Sequence, residues 1–300
     1  MVLQDIAREF RNLERYDFRV LHGVESAMRF FDWVPVDNLP YYARLPPEEV
    51  GYRIGRLSKH KLVQRKTAHY VGYKLTFAGY DVLGINTLVQ RNVIESFGSK
   101  VGVGKESDIY DAEQENGQIV IVKFHREGTT FRRVKRSRGY FGKTERCSLM
   151  LTSSLAAQSE FEALTSLYDN VVVPQPIAHN RHVIVMSLLN GRELGNTTLE
   201  NPATVLENVI VQIKFAYGCG IVHADLSEYN VIVCTSEKVA LIDWPQWVPA
   251  SHPNADELLC RDIGNILSYF ARKYQIKKRT EEVVAYVKQR DEGADNHLEG

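Results

Sequence analysis

Three polar residues stand at a spacing that phosphoryl transfer can use. In HADLSEYN, followed by LIDW, Asp225, Asn230 and Asp243 are separated by five and thirteen residues. The reaction asks for one carboxylate beside the attacking oxygen, and for an amide and a second carboxylate to hold Mg²⁺ on the phosphates, because catalysis there is mostly positioning and charge neutralisation. Taken singly, the three read as a turn residue, a cap and a strand terminator. Together and in this order they read as Asp225 facing the acceptor, with Asn230 and Asp243 on the metal. Upstream, GSKVGVGKESDIYDA places Gly102 and Gly104 in a turn before the strand QIVIVKF, where backbone could approach phosphates closely. A plain hairpin turn is the alternative, and the segment lacks the four-residue spacer of a P-loop. Lys123 sits among Ile121, Val122 and Phe124, so its ammonium needs an anion, and a nucleotide phosphate with a helix glutamate is one answer. Glu160 in AAQSEFEALTSLY is the candidate glutamate; an exposed lysine and a solvated acid are the alternative. Met186 and Leu188, in HVIVMSLLNG, stand where a linker between two lobes would meet adenine, although Met186 alone also reads as core.

Positioning these residues takes a particular set of elements. Leu206, Ile210, Ile213 and Tyr217 mark a helix that Gly218 and Gly220 end, and NVIVCT and VALID read as strands, so a loop Asp, a strand-start Asn and a strand-end Asp would converge. Short β-branched runs at 118–124, 171–173 and 182–188, followed by long helical stretches, give the texture of an α+β catalytic domain. Before about Arg91 the pattern differs. Ile6, Phe10 and Leu13, and then Leu21, Val24, Met28 and Phe31, predict two amphipathic helices. Pro46 and Pro47, with Glu48 and Glu49 behind them and Val50, Ile54 and Leu57 on one face, predict a third that ends near Lys61. LVQRKTAHYVGYKLT predicts a hairpin turning at Ala68-His69, and FAGYDVLGINTLVQ a further helix, so the N-terminal third reads as a winged helix. Between Gly51 and Tyr80 there are seven Lys/Arg and no acid. Arg53, Arg56, Lys59, Lys61, Arg65 and Lys66 are therefore candidates for nucleic-acid contact, with a solvated or protein-binding face as the alternative.

The whole chain, 300 residues with 37 basic and 37 acidic groups, has no net charge, which excludes coating nucleic acid by bulk charge. Its apolar runs are strand-sized, no signal-peptide core opens it, and its four cysteines form no CxxC pair; a cytoplasmic protein with reduced thiols and no membrane partner is expected. FRRVKRSRGYFGKTER carries six bases between Arg132 and Lys143 and no acid there, and reads as a mobile basic loop that could fold over the nucleotide.

These motifs resemble the RIO family of atypical protein kinases, and within it the second subfamily, whose members carry an N-terminal winged helix. The likeness rests on GVGKESDIY, the strand Lys123, an insertion before Glu160, HADLSEYN and IDWPQ, and the short C-terminal part looks archaeal. It implies an α+β, bilobal kinase-like domain with a small C-lobe behind a winged helix: 1–92 winged helix with a linker helix, and 93–300 kinase domain, its N-lobe at about 93–189 and its C-lobe at about 190–300. It implies an ATP-dependent serine/threonine kinase and ATPase that binds ATP with Mg²⁺ (or Mn²⁺) in an interlobe cleft and acts in maturation of the small ribosomal subunit, whose precursor RNA and proteins are its partners. Gly102, Gly104, Lys105 and Ser107 would then line the triphosphate, Lys123 would contact phosphates and pair with Glu160, Asp225 would be the catalytic aspartate, Asn230 and Asp243 would hold the metal, and Asp243 could itself carry the phosphoryl group. Ala224 stands where ordinary protein kinases have an arginine, and Trp244-Pro245 replaces Phe-Gly, so activation-loop control is not expected. Two rivals remain at this point. A small-molecule phosphotransferase of the aminoglycoside-kinase type shares HxDL…N and IDW, but 57 residues after Asp243 barely supply its substrate subdomain. A winged-helix regulator with a vestigial kinase fold should have lost a catalytic carboxylate, yet Asp225 and Asp243 are both present.

Overall fold

The computed structural model describes residues 10–103, 106–126 and 149–289. They fall into two compact units: the residues up to Arg126 with Asn180–Val183, and 149–179 with 184–289. The basic loop at 131–146, the glycine-loop residues Gly104 and Lys105, and most of the helix expected at Ile6, Phe10 and Leu13 lie outside the described residues.

The first unit opens on α1 (Arg15–Ala27), β1 (Val34–Pro35), α2 (Leu39–Ala43) and α3 (Pro47–Lys59), followed by β2 (Val63–Thr67), β3 (Val71–Leu75) and α4 (Phe77–Gln90). A capping box joins Glu14 and Asp17 at the start of α1, which buries Val20, Leu21, Val24 and Ala27. The helix expected to carry Phe31 stops at Ala27 instead, because the chain must turn back to lay Val34 beside Tyr73 of β3. Helix α3 begins at Pro47 with Glu48 and Glu49 in its first turn and ends on Arg56 and Lys59, which suits its dipole. The wing is the expected hairpin, β2 and β3 pairing antiparallel from Val63–Leu75 to Thr67–Val71. Thr76 caps α4 by accepting the Gly79 N–H at 3.1 Å, and a Cβ on Gly79 would fall on the Leu62 carbonyl, so only glycine admits this approach. An antiparallel meander of β4 (Ser96–Val103), β5 (Ser107–Glu113) and β6 (Ile119–His125) follows, and the His125 N–H donates to the His182 carbonyl at 2.8 Å.

The second unit contains α5 (Leu149–Leu167), β7 (Pro176–Asn180), β8 (Val183–Ser187), β9 (Gly191–Glu193), α6 (Pro202–Gly218), β10 (Ile221–Val222), β11 (Val231–Cys234), β12 (Val239–Leu241), β13 (Val248–Pro249), α7 (Ala255–Tyr274) and α8 (Thr280–Lys288), apart from the turn Asn180–Val183 that joins β7 to β8. Strands β9, β11 and β12 form one small sheet and β10 pairs with β13. Val205, Leu206, Val209, Ile210 and Ile213 bury the inner face of α6. The run 171–173 is not a strand. It is an extended segment with single bonds, Val172 N–H to the Gln212 side chain at 2.7 Å and Leu241 N–H to Val172 C=O at 3.0 Å, so β-branched composition alone misled there. Among the described residues no helix is long and apolar enough to cross a membrane.

Candidate active site

Asp225, Asn230 and Asp243 come together through strand register. Strand β11 pairs with β12 from Val231–Leu241 to Val233–Val239, which sets Asn230 opposite the residue before Asp243. The Ile242 N–H donates to the Asn230 carbonyl at 3.0 Å, and the Asn230 side-chain NH₂ donates to the Asp225 carbonyl at 2.9 Å. With that NH₂ committed, the Asn230 Oδ1 is the atom left to meet a cation. Asp225 is exposed and Asp243 half-buried.

Two left-handed residues fix the loop. Ala224 has φ +64 and Asp243 φ +67, conformations that cost a non-glycine residue on the order of 1 kcal/mol. Asp262 on α7 supplies the compensation at Ala224. Its carboxylate, 1% exposed, accepts the Ala224 N–H at 2.6 Å and the Leu226 N–H at 3.1 Å, while Arg261 donates to the Ala224 carbonyl and Asn265 to the Leu226 carbonyl at 3.0 Å. Burial pushes the Asp262 carboxyl up from its ordinary value, against the pull of His223, Arg261 and the two backbone N–H groups. At Asp243 the support comes from neighbouring side chains. Trp244 is fully buried, its indole N–H donating to the Leu241 carbonyl at 3.2 Å, and its ring lies 4.4 Å from that of His223, whose Nε2 bonds the Ile242 carbonyl at 3.0 Å. The segment before and after Trp244 is thus tied to the loop that carries Asp225.

Glu160 also lies in this second unit, 1% exposed on α5. Its neighbour Ser159 donates to the Pro245 carbonyl at 3.0 Å and accepts the Trp247 indole N–H on its own carbonyl at 2.8 Å, which anchors α5 to the chain just past Asp243. Met186 is buried and Leu188 is 43% exposed, on either side of Ser187, which exchanges backbone N–H and side-chain bonds with Gln175, each 2.9 Å.

Gly102, Ser107 and Lys123 belong to the first unit. Ile109 pairs with Lys123 and Ser107 with His125 across β5 and β6, and the Lys123 side chain is largely buried. Among the described residues a Cβ on Gly102 would meet only Ile109, at 3.6 Å, an ordinary contact. Immediately beyond, Arg126 joins Asp81 and Asp108, a cluster that sequence reasoning missed; its one signal was an acid in the middle of an otherwise uncharged helix.

The six bases expected to meet nucleic acid divide into two groups. Arg53 is buried and pairs with Glu49 at 2.6 Å and Glu14 at 2.8 Å; Arg56 pairs with Glu14 at 2.6 Å and bonds the Asn12 carbonyl. Both are engaged in ion pairs that join α3 to the start of α1. Lys59, Lys61, Arg65 and Lys66 are exposed, and the Lys66 ammonium sits 5.4 Å from the Trp33 ring.

Comparison with known proteins decides the family. The model described as "RIO domain" matches residues 108–283, and that described as "Rio2, N-terminal" matches residues 10–91. The chain belongs to the RIO family. Among its relatives, the RIO-type serine/threonine-protein kinase Rio2 of Methanocaldococcus jannaschii is 40% identical over 85% of this chain and 96% of its own length. The serine/threonine-protein kinase rio2 of Dictyostelium discoideum is 37% identical over 89% of this chain, which spans 52% of that protein. A crystal structure of the Rio2 kinase-ADP/Mg²⁺-phosphoaspartate complex from Chaetomium thermophilum superposes with a TM-score of 0.81 at 32% identity, covering 95% of this chain and 90% of the other. The RIO resemblance read from GVGKESDIY, HADLSEYN and IDWPQ is borne out, with its kinase-like domain behind a winged helix and its enzyme class, a RIO-type serine/threonine-protein kinase.

Proposed function

We propose that this RIO kinase binds Mg·ATP and transfers its γ-phosphoryl group in the cytoplasm during maturation of the small ribosomal subunit, meeting precursor RNA or protein through its winged helix. The observation that carries the nucleotide reading is the union of Asn230, Asp225 and Asp243 by the Asn230 hydrogen bonds and the β11–β12 register. The donor set suits Mg²⁺. Among the described residues no three acidic, His or Cys side chains cluster as a metal cage, and one carboxylate with one amide oxygen is what a cation sharing its remaining sites with phosphates and water requires. When bound, Mg²⁺ supplies charge neutralisation on the phosphates.

The chain's own residues do the rest in this reading. Lys123, with Gly102, Gly104, Lys105 and Ser107, is assigned to the triphosphate and Met186 and Leu188 to the base, roles that the family resemblance implies. Asp225 orients the acceptor hydroxyl and receives its proton as the new P–O bond forms and ADP leaves. A second route, supported by the phosphoaspartate of the Chaetomium protein, has an Asp243 carboxylate oxygen attack the γ-phosphorus, releasing ADP; water then breaks the acyl phosphate and regenerates the acid. The winged-helix contact is assigned to Lys59, Lys61, Arg65 and Lys66, the exposed bases.

The test is incubation of the pure protein with labelled ATP and Mg²⁺, with and without small ribosomal subunits. Turnover that needs Mg²⁺ and changes with subunits is expected; label released equally by Asp243→Ala would overturn the metal assignment.

A further inference from the structure

Helix α4 buries Tyr80, Val82, Leu83, Ile85 and Leu88, and in their midst stands Asp81, 1% exposed. An ionised carboxylate so placed costs several kcal/mol unless it is paired and hydrogen-bonded. The pairing is complete. Arg126 meets both Asp81 oxygens, at 2.7 and 2.9 Å, and His182 Nε2 meets one of them at 2.7 Å. Burial lowers the His182 pKa against the pull of Asp81, and the ring stacks on Tyr80 at 4.5 Å. The Arg126 guanidinium also lies near two rings, 5.4 Å from Phe77 and 5.6 Å from Phe124.

The other side of Arg126 reaches the segment that closes the glycine loop. Its Nε donates to Asp108 at 3.1 Å and its backbone N–H to the Glu106 carbonyl at 2.7 Å, and Asp108 takes the Lys100 ammonium at 2.6 Å. Lys100 precedes Gly102 on β4, and Asp108 follows Ser107 on β5. One chain of alternating charge, Lys100, Asp108, Arg126, Asp81, therefore holds both stems of the glycine loop to the last helix of the winged-helix segment. Because each positive group in it faces a carboxylate, Arg126 serves as a strut rather than as a phosphate ligand.

We infer that Asp81 is a positioning residue for nucleotide binding: through Arg126 it sets the pose of the stems flanking Gly102–Ser107 and so the affinity for the ATP triphosphate. The inference rests on the reading that the triphosphate lies along that loop. It has a sign that plain electrostatics lacks, since removing the Asp81 charge would leave the local field more positive and would draw ATP in more tightly.

The experiment is calorimetry on the full chain with ATP and with adenosine, for wild type, Asp81→Asn, Asp108→Asn and the double variant, alongside thermal unfolding. Asp81→Asn should bind ATP about tenfold more weakly and adenosine as wild type does. The double variant should match the weaker single variant rather than multiply the two losses, because both act through one arginine. ATP affinity unchanged or increased, equal loss for adenosine, or multiplicative losses would overturn the inference. Should Asp81→Asn not fold, Arg126→Lys keeps the charge but not the two-sided grip, and the same selective loss is expected of it. A wild type that does not prefer ATP to adenosine would instead sink the nucleotide reading itself.

Discussion

Asp243 and Asp225 sit on the same small scaffold, yet their substitutions should separate. Asp243→Ala removes the only carboxylate of the proposed metal set, so metal-dependent ATP binding should vanish in calorimetry with and without Mg²⁺. Asp225→Ala should keep ATP binding and lose phosphoryl transfer by about 10³-fold or more, measured by single-turnover release of labelled phosphate, because that carboxylate faces the acceptor. Gly102→Ala makes a third case. A methyl there meets Ile109 at 3.6 Å, so thermal stability should stay within about 0.5 kcal/mol while ATP affinity falls; unaltered affinity would show that no phosphate approaches. These residues were legible in the sequence because their geometry is local: a loop, a strand start and a strand end are joined by one antiparallel pairing. Asp262 was harder, since an acid on a helix looks the same whether it is solvated or accepting two backbone N–H groups from a loop 36 and 38 residues away.

At the scale of elements, the α1–α3 junction shows where charge patterning fails. A run of bases without acids predicts a free positive face, and the carboxylates that capture Arg53 and Arg56 lie outside that run, at Glu14, Asp17 and Glu49. Only tertiary structure brings Glu14 to a residue 39 positions on. Arg53→Glu should therefore unfold or loosen the junction, at a cost of about 3 kcal/mol from a buried charge left among acids, whereas reversing Lys59, Lys61, Arg65 and Lys66 should leave the melting temperature nearly unchanged. Circular dichroism melts of the two variants distinguish these outcomes. The same four-site reversal should lower affinity for small ribosomal subunits and flatten its salt dependence, the slope falling by about 0.9 for each phosphate that is no longer neutralised, without altering ATP binding. If Arg53→Glu melts like wild type, the ion pairs at this junction do not support the fold.

The whole first unit is closed by a second ion pair whose members are far apart in sequence, and acid should expose it. Arg181, left-handed at φ +55 in the turn between β7 and β8, binds both oxygens of Glu25 on α1, at 2.6 and 2.8 Å, and reaches the Leu83 carbonyl and Thr87 on α4 at 3.3 and 3.1 Å. A turn contributed by the kinase-like domain thus clamps two helices of the winged helix, which is why the compact unit includes Asn180–Val183. No local pattern in RHVIV announces this, since one arginine in a turn ordinarily means solvent. Burial works to raise the Glu25 carboxyl, but the Arg181 bonds and charge, with His22, overcome it and hold it at about 2, below its ordinary 4.5. A carboxyl depressed by folding contributes stability that is present above its unfolded value and lost as pH falls through the folded one. The window is therefore pH 4.5 down to about 2, and the contribution is at most on the order of 3 kcal/mol. Urea unfolding at stepped pH should show wild type losing more stability than Glu25→Gln across that window, with the two curves parallel above pH 6. Parallel curves throughout would mean that Arg181 holds the turn through neutral partners such as the Leu83 carbonyl and Thr87, and that the clamp owes nothing to charge.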